Sequence, residues 1–409
     1  MQILIVGLNY APEPIGIGPY TTGLAEGLVA RGHTVQVIAG LPYYPQWQPY
    51  DGQPRKGYVA RENGVTVTRV RHYIPARPSG PRRILHHLSF ALSARGPAMR
   101  AARGGIDAVI AIAPSLLSVP VARAAARLAG APLWVHVQDF EAEAAVATGM
   151  LRAGSAPARL ALNLERDCLI SAAKVSTISP QMRSRLHEKG IAKGRVVEMR
   201  NWFDPTLDFA NADVEGLRAR WGLTGRTVAL YSGNIANKQG LDIVIEAARA
   251  IRARSDIAFV ICGEGPNRAT LQSLAQGLDN VQFRDLQPRG SLAAMLALAD
   301  IHLLPQLAGA ADLVLPSKLT NMLASGRPMV ATAAAGTGLF DEVEGCGLNV
   351  EPGNAAALAD AICALANDPA LRQSLGDAAR RRAAKRWSYQ SIIDTAEATL
   401  TEIGTHDVA

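Results

Sequence analysis

The sequence predicts an α/β protein made of two doubly wound lobes in tandem. Three observations carry this expectation: a length of 409 residues, a repeated alternation of apolar β-type runs with alanine-rich helical patterns, and a break after which the alternation starts again. In the first series the strand-like runs are Ile3-Leu-Ile-Val6, Thr34-Val-Gln-Val-Ile38, Ala108-Val-Ile-Ala-Ile112 and Leu133-Trp-Val-His-Val137. Near-continuous apolar strands separated by helices are what a parallel sheet covered on both faces requires. Asn201-Trp-Phe-Asp-Pro205 and the polar stretch up to Arg220 read as a linker. Beyond it come Thr227-Val-Ala-Leu-Tyr231, Ala258-Phe-Val-Ile-Cys262, Val281-Gln-Phe283, Ile301-His-Leu-Leu304 and Met329-Val-Ala331. The expected domains are therefore 1–200 and 201–386, with an apolar-periodic segment at about 387–409 long enough to return to the first lobe. Two such lobes would face each other across a central cleft lined by the carboxyl ends of their strands.

Composition narrows the function. Apolar residues make up 48% of the chain, yet no uninterrupted run reaches the roughly 18 residues of a membrane span. The opening Met1-Gln-Ile-Leu-Ile-Val-Gly7 has no basic residue ahead of it and reads as a first strand rather than a signal peptide, so a cytoplasmic location is expected. Cys168, Cys262, Cys346 and Cys363 share no close spacing, which suggests neither disulfides nor a metal site. The net charge of +7 is uneven: residues 1–200 hold 24 Lys and Arg against 12 Asp and Glu, and the remainder 18 against 23. A basic first lobe suits an anionic partner such as a phospholipid surface, a pyrophosphate or nucleic acid.

Loops able to hold phosphate recur at strand ends. After the first strand, Gly16-Ile-Gly18 precedes a helix pattern, and glycines let backbone N–H groups approach an anion at a helix start. In the second lobe Ser232-Gly-Asn-Ile-Ala-Asn-Lys-Gln-Gly240 joins strand to helix, with Gly233 easing the exit, Gly240 the entry, and Lys238 supplying a cation for the oxygens of a diphosphate. Pro316-Ser-Lys318 brings a second lysine and the Ser317 hydroxyl to another helix start, and Cys262-Gly-Glu-Gly-Pro266 offers Gly263 and the acceptor Glu264. Together they suggest a clamp for a nucleotide diphosphate. No Walker-type loop and no close Asp pair for magnesium is present, which argues against a kinase or an ATPase. No Ser-His-Asp order stands out either.

At this point the sequence resembles the retaining nucleotide-sugar glycosyltransferases of family 4, and within them the colanic-acid-type fucosyltransferases of bacterial exopolysaccharide synthesis. The resemblance rests on Asn9-Tyr-Ala-Pro-Glu13 with Gly16-Ile-Gly18, Pro42-Tyr-Tyr-Pro-Gln-Trp47, His136-Val-Gln-Asp-Phe-Glu141, Val175-Ser-Thr-Ile-Ser179, Tyr231-Ser-Gly-Asn-Ile235 with Lys238-Gln-Gly240, and Leu315-Pro-Ser-Lys-Leu-Thr-Asn321. It implies the two-lobed GT-B fold, with the nucleotide sugar on the second lobe, the acceptor on the first, and no metal or other cofactor. By the same resemblance Lys238 takes the diphosphate-binding lysine, while Asn234 stands where many members carry arginine and Lys318 compensates. Two glutamates eight residues apart are replaced here by Leu313 and Asn321, the latter a substitute for the ribose contact. The family's histidine near the acceptor aligns with Gln138, with His136 two residues away, and the assignment between them stays open. Asp139 is the expected orienter of the acceptor hydroxyl or the donor sugar.

The implied reaction moves a sugar, with GDP-fucose as the donor, to a polyprenyl-diphosphate-linked saccharide. The segment Pro81-Arg-Arg-Ile-Leu-His-His-Leu-Ser-Phe-Ala-Leu-Ser-Ala-Arg95 mixes arginines with an apolar stripe, so it reads either as a helix lying in a headgroup layer, on the cytoplasmic face of the inner membrane, or as a core helix with a solvated basic face. Arg380-Arg-Arg-Ala-Ala-Lys-Arg386 reads as a solvated helix face. Two other classes compete: a nucleotide-sugar epimerase of the same shape, acting on UDP-GlcNAc, and a basic nucleic-acid-binding protein. The second is disfavoured, and no nucleic acid is expected as a partner, because no stacking aromatic series or recognition helix is evident.

Overall fold

The computed structural model describes residues 1–14, 16–147, 151–236, 239–307 and 315–405, with the side chains of 147 and 405 left aside. The chain divides into two compact units, residues 1–201 with 392–409, and residues 202–391. Each is built on its own sheet.

The first unit contains β1 (Gln2–Val6), β2 (Thr34–Gly40), β3 (Tyr58–Glu62), β4 (Val65–Val70), β5 (Ala108–Ala113), β6 (Leu133–Val137), β7 (Lys174–Thr177) and β8 (Val196–Glu198), in the order β3-β4-β2-β1-β5-β6-β7-β8. All neighbours pair in parallel except β3 and β4. That hairpin turns on Asn63 and Gly64, both at positive φ (47° and 84°), as a two-residue turn between twisted strands demands. The sequence reading passed over this Asn-Gly signal. The second unit contains β9 (Thr227–Ser232), β10 (Ile257–Cys262), β11 (Val281–Arg284), β12 (Ile301–Leu304), β13 (Met329–Thr332) and β14 (Gly347–Val350), all parallel, in the order β11-β10-β9-β12-β13-β14.

Both sheets are doubly wound, as expected, and the reason lies in burial. Every residue of β5 and of β10 is buried, so both faces of these strands need helices to cover them. The chain winds outward from β1 to one side and resumes at β5 on the other; in the second unit it does the same at β9 and β12. At these reversals the loops leaving the carboxyl ends of adjacent strands diverge, opening a crevice where ligands bind.

Two details differ from the sequence reading. The stretch 201–220 is no loose linker: Asp213 caps the helix Val214–Trp221, which buries Leu217 and Trp221 in the second unit's core, and Phe203, Leu207 and Phe209 pack on the same cluster. The last helix, Tyr389–Thr405, passes from the second unit to the first. There Ile392, Ile393, Ala396 and Leu400 are buried, and Arg31 pairs with both Asp394 and Glu397.

Candidate active site

In the second unit, the expected phosphate loops leave the strands that flank the reversal. Gly233 follows β9, and Lys318 opens the helix Lys318–Ala324 in the connection between β12 and β13. The Lys318 ammonium lies 3.9 Å from the ring centroid of Tyr231, the penultimate residue of β9, and a Cβ built on Gly233 would sit 3.4 Å from its Nζ. The Tyr231 hydroxyl in turn donates to the carbonyl of Asn234 at 2.6 Å, and burial holds that phenol well above its ordinary pKa. Tyr231 thus braces both loops at once. The sequence places Tyr231 at the end of a strand and in a family motif but gives it no role, because its aromatic face reads as core until Lys318 is seen above it. The helix behind Lys318 has only seven residues, so the lysine side chain, rather than a long helix dipole, supplies the positive charge.

Gly233 and Gly263 make this edge buildable. Gly233 N–H donates to Cys262 O at 2.9 Å, and Gly263, at φ 147°, lies so close that a Cβ would fall 1.9 Å from Gly233 O. Ile235 N–H then donates to Glu264 O at 2.8 Å, so the β9 and β10 loops are bonded to one another. The Glu264 side chain is exposed but pairs with Arg268, which also holds Asp285 at 2.6 Å. Asn234 and Ser317 are exposed. Asn321 uses its Oδ1 to accept from Asp204 N–H at 2.8 Å, leaving its amide N–H groups for any ribose contact. Lys238 and Leu313 lie outside the described residues.

The remaining site residues lie in the first unit. Gly16 (φ 74°) and Gly18 precede and open the helix Gly18–Ala30 behind β1. Their loop is fixed by Glu13, a buried carboxylate whose Oε1 accepts from the amides of Tyr43 and Tyr44 at 3.0 and 3.1 Å, and whose Oε2 accepts from Asn9 Nδ2 at 2.8 Å. Burial raises the pKa of Glu13, and these three donors oppose the shift. Sequence reasoning quoted Glu13 in a motif without giving it a role.

His136 ends up enclosed. It is buried in β6, with Nδ1 2.8 Å from Ser176 Oγ and Nε2 2.9 Å from Gln138 Nε2. Gln138 and Asn201 exchange amide hydrogen bonds in both directions at 2.9 Å. The network closes when Nδ1 carries the proton and donates to Ser176, so that Nε2 accepts from Gln138. Burial lowers the pKa of His136 to about 3, so the ring stays neutral. Asp139, by contrast, is exposed just past the strand; its carboxyl is raised by the surrounding protein, opposed by the Phe140 amide and reinforced by Glu143. Asp139 and Glu141 do not continue a strand alternation, because β6 stops at Val137 and Glu141 opens the helix Glu141–Ala147. Glu141 accepts from Leu116 N–H at 3.0 Å and faces His87 at 3.3 Å. Burial first, then Asp139 and Glu165, push Glu141 up to about 8.

Among the described residues, no group of three His, Cys, Asp or Glu side chains is placed to hold a metal ion, and no helix is long and apolar enough to cross a membrane.

Comparison with known proteins fits both units. Residues 16–202 match the glycosyl transferase 4-like domain, and residues 226–368 match the glycosyl transferases group 1 domain. The chain is 42% identical over 372 residues to the provisionally named colanic acid biosynthesis glycosyl transferase WcaI of Escherichia coli (strain K12), covering 88% of this chain and 91% of that protein. The fold matches Anabaena Alr3699/HepE in complex with UDP at a TM-score of 0.71 with 17% identity, covering 98% of this chain and all of the other. Sucrose-phosphate synthase from Thermosynechococcus elongatus matches at 0.73 with 19% identity, covering 99% of this chain and all of the other.

Proposed function

Because the chain belongs to the glycosyltransferases that join a 4-like domain to a group 1 domain on the GT-B fold, we propose that it moves a hexose from a nucleotide diphosphate to a polyprenyl-diphosphate-linked saccharide in exopolysaccharide synthesis of the colanic-acid type. The resemblance to colanic-acid-type fucosyltransferases and the relative's role in that pathway favour GDP-fucose as the donor. The observation that carries the reading is the meeting of Lys318 with Gly233 and Tyr231 at the reversal between β9 and β12.

In this reading the acceptor hydroxyl attacks the anomeric carbon on the face the diphosphate leaves. The new C–O bond forms as the bond to the β-phosphate oxygen breaks, the hydroxyl proton passes to that phosphate, and configuration is retained. Lys318 and Lys238 offset the charge that builds on the leaving group, without a metal. Gly233 and Gly263 keep backbone close to the anion, Glu264 and Asn321 meet the ribose or base, and Asn234 and Ser317 face the phosphates. Asp139 orients the acceptor hydroxyl. His136 acts as a positioning residue through Gln138, since both its ring nitrogens are taken by protein partners.

A lipid-linked acceptor places the enzyme at a membrane surface, and the helix Gly80–Arg103 supports this. It buries His86, Phe90, Ala91 and Ala94, yet leaves Ile84, Leu85, Leu88 and Leu92 between 42 and 66% exposed, beside exposed Arg82, Arg83 and Arg95. At helical spacing these four fall within about a quarter of the circumference, the pattern of a helix lying in a headgroup layer.

Transfer assays with GDP-fucose and UDP-glucose in EDTA, followed by NMR of the anomeric proton, test the reaction. Lys318→Ala is expected to lower kcat/KM for the donor by about 100-fold, the scale of losing a charge-assisted contact to the leaving group. Unchanged turnover in that variant, or inversion at the anomeric centre, contradicts the proposal. On vesicles, Leu88→Ser/Leu92→Ser is expected to abolish sedimentation with anionic lipid; equal recovery with neutral lipid removes the membrane role.

A further inference from the structure

The first unit also carries a cavity of about 800 Å³ at the end of its sheet where β6 and β7 begin. Leu133 and Lys174, which open β6 and β7, line it, whereas Gln138 and Asp139 lie past the far end of β6. The five residues of β6 separate the two ends of the sheet by roughly 13 Å, so this cavity is distinct from the site proposed above.

Its charged lining is Arg123, Arg127, Lys174 and Arg195 against a single carboxylate, Glu402. Lys174 is buried, donates to Gly194 O at 2.7 Å and pairs with Glu402 at 2.5 Å, which neutralises that carboxylate. Arg195 donates to the carbonyls of Ala172 and of Ile170, the last residue of the helix Ala156–Ile170, and so cancels the negative end of that helix. Arg123 and Arg127 are left over. They stand four residues apart on the helix Val119–Ala129, where like charges repel, and neither guanidinium is hydrogen-bonded or ion-paired among the described residues.

We propose that this cavity binds a phosphate-bearing ligand of about the size of a sugar phosphate, with Arg123 and Arg127 gripping the phosphate. Guanidinium groups fit phosphate oxygens bidentately, and the volume lies within the range of small-molecule sites. Glu402 and Ile403 belong to the last helix, so a bound ligand would also bridge that helix to the sheet. The phosphate could belong to a soluble metabolite or to a lipid headgroup, and the two arms of the test separate them.

Calorimetry on the full chain, with GDP saturating the donor site, measures ribose 5-phosphate binding; a parallel arm measures sedimentation with phosphatidic acid vesicles in the Leu88→Ser/Leu92→Ser background, which removes the attachment proposed for the helix Gly80–Arg103. Wild type is expected to bind in at least one arm, with Arg123→Ala/Arg127→Ala weakening that binding tenfold or more while GDP affinity stays within twofold. Arg127→Ala alone serves if the double variant fails to fold, with a smaller loss in the same direction. Binding confined to ribose 5-phosphate identifies a metabolite, and binding confined to vesicles a headgroup. No binding by wild type in either arm, or equal binding by wild type and variant, overturns the proposal. Because GDP affinity is read separately, failure here is distinguishable from failure of the donor site.

Discussion

At Gly263 a methyl group has no room. Its Cβ would overlap the carbonyl oxygen of Gly233, and φ at 147° is a conformation that side chains avoid. Gly263→Ala is therefore expected to cost about 3 kcal/mol or more in urea unfolding and to disturb the β9 loop with it. Asp139 illustrates the opposite situation. It is exposed, so Asp139→Asn is expected to leave the melting temperature within a degree or two, while slowing transfer by about 100-fold if it orients the acceptor. An equal loss of stability and activity would reassign it to a structural cap. The placement of the glycines and of Lys318 at strand ends and helix starts was legible in the sequence because loop chemistry is local. The enclosure of His136 was not, since it depends on Ser176, 40 residues away, and on the bond between Gln138 and Asn201, 63 apart.

At the scale of elements, Glu13 ties the Gly16–Gly18 loop to the loop carrying Tyr43 and Tyr44. Glu13→Ala strands two amides and is expected to cost about 2–4 kcal/mol, whereas Glu13→Gln keeps one acceptor oxygen and should cost less than half as much, as thermal unfolding can measure. The last helix offers a contrast of forces. Its ion pairs with Arg31 involve carboxylates that are one-third or more exposed, so Arg31→Ala should cost under about 1 kcal/mol, while Leu400→Ala, fully buried, should cost about 2–4. Strands such as β5, β10 and β12 were readable because burial on both faces makes them continuous apolar runs, whereas β4, β7, β8 and β14, which carry polar residues or lie half-buried, were not read as strands. The helix Val214–Trp221 was hidden because only Leu217 and Trp221 are buried, with Val214 partly so, in an otherwise polar stretch.

At the scale of the whole molecule, buried histidines shape the response to acid. Burial lowers His136 and His302 to about 3, and burial with neighbouring cations and imidazoles does the same for His72 and His87. Below pH about 6.5 the unfolded chain takes up protons that the folded chain refuses, so this stability is present above that pH and is lost as pH falls toward 3. Each fully buried histidine contributes about 2 kcal/mol of destabilisation at pH 5. Glu141, raised to about 8, works the other way, favouring the fold in acid and losing that contribution as pH rises through 8. Four histidines outweigh it, so the melting temperature should fall steadily between pH 6.5 and 4.5, and a flat profile would show that these rings are hydrated. At the reversal between β9 and β12, Lys318 is proposed as the second unit's grip on a diphosphate. Calorimetric titration of the full chain with GDP and UDP, on wild type and Lys318→Ala, tests it most directly. The preferred nucleotide should bind the variant about 10- to 100-fold more weakly at an unchanged melting temperature, and equal affinity for both proteins would contradict the claim.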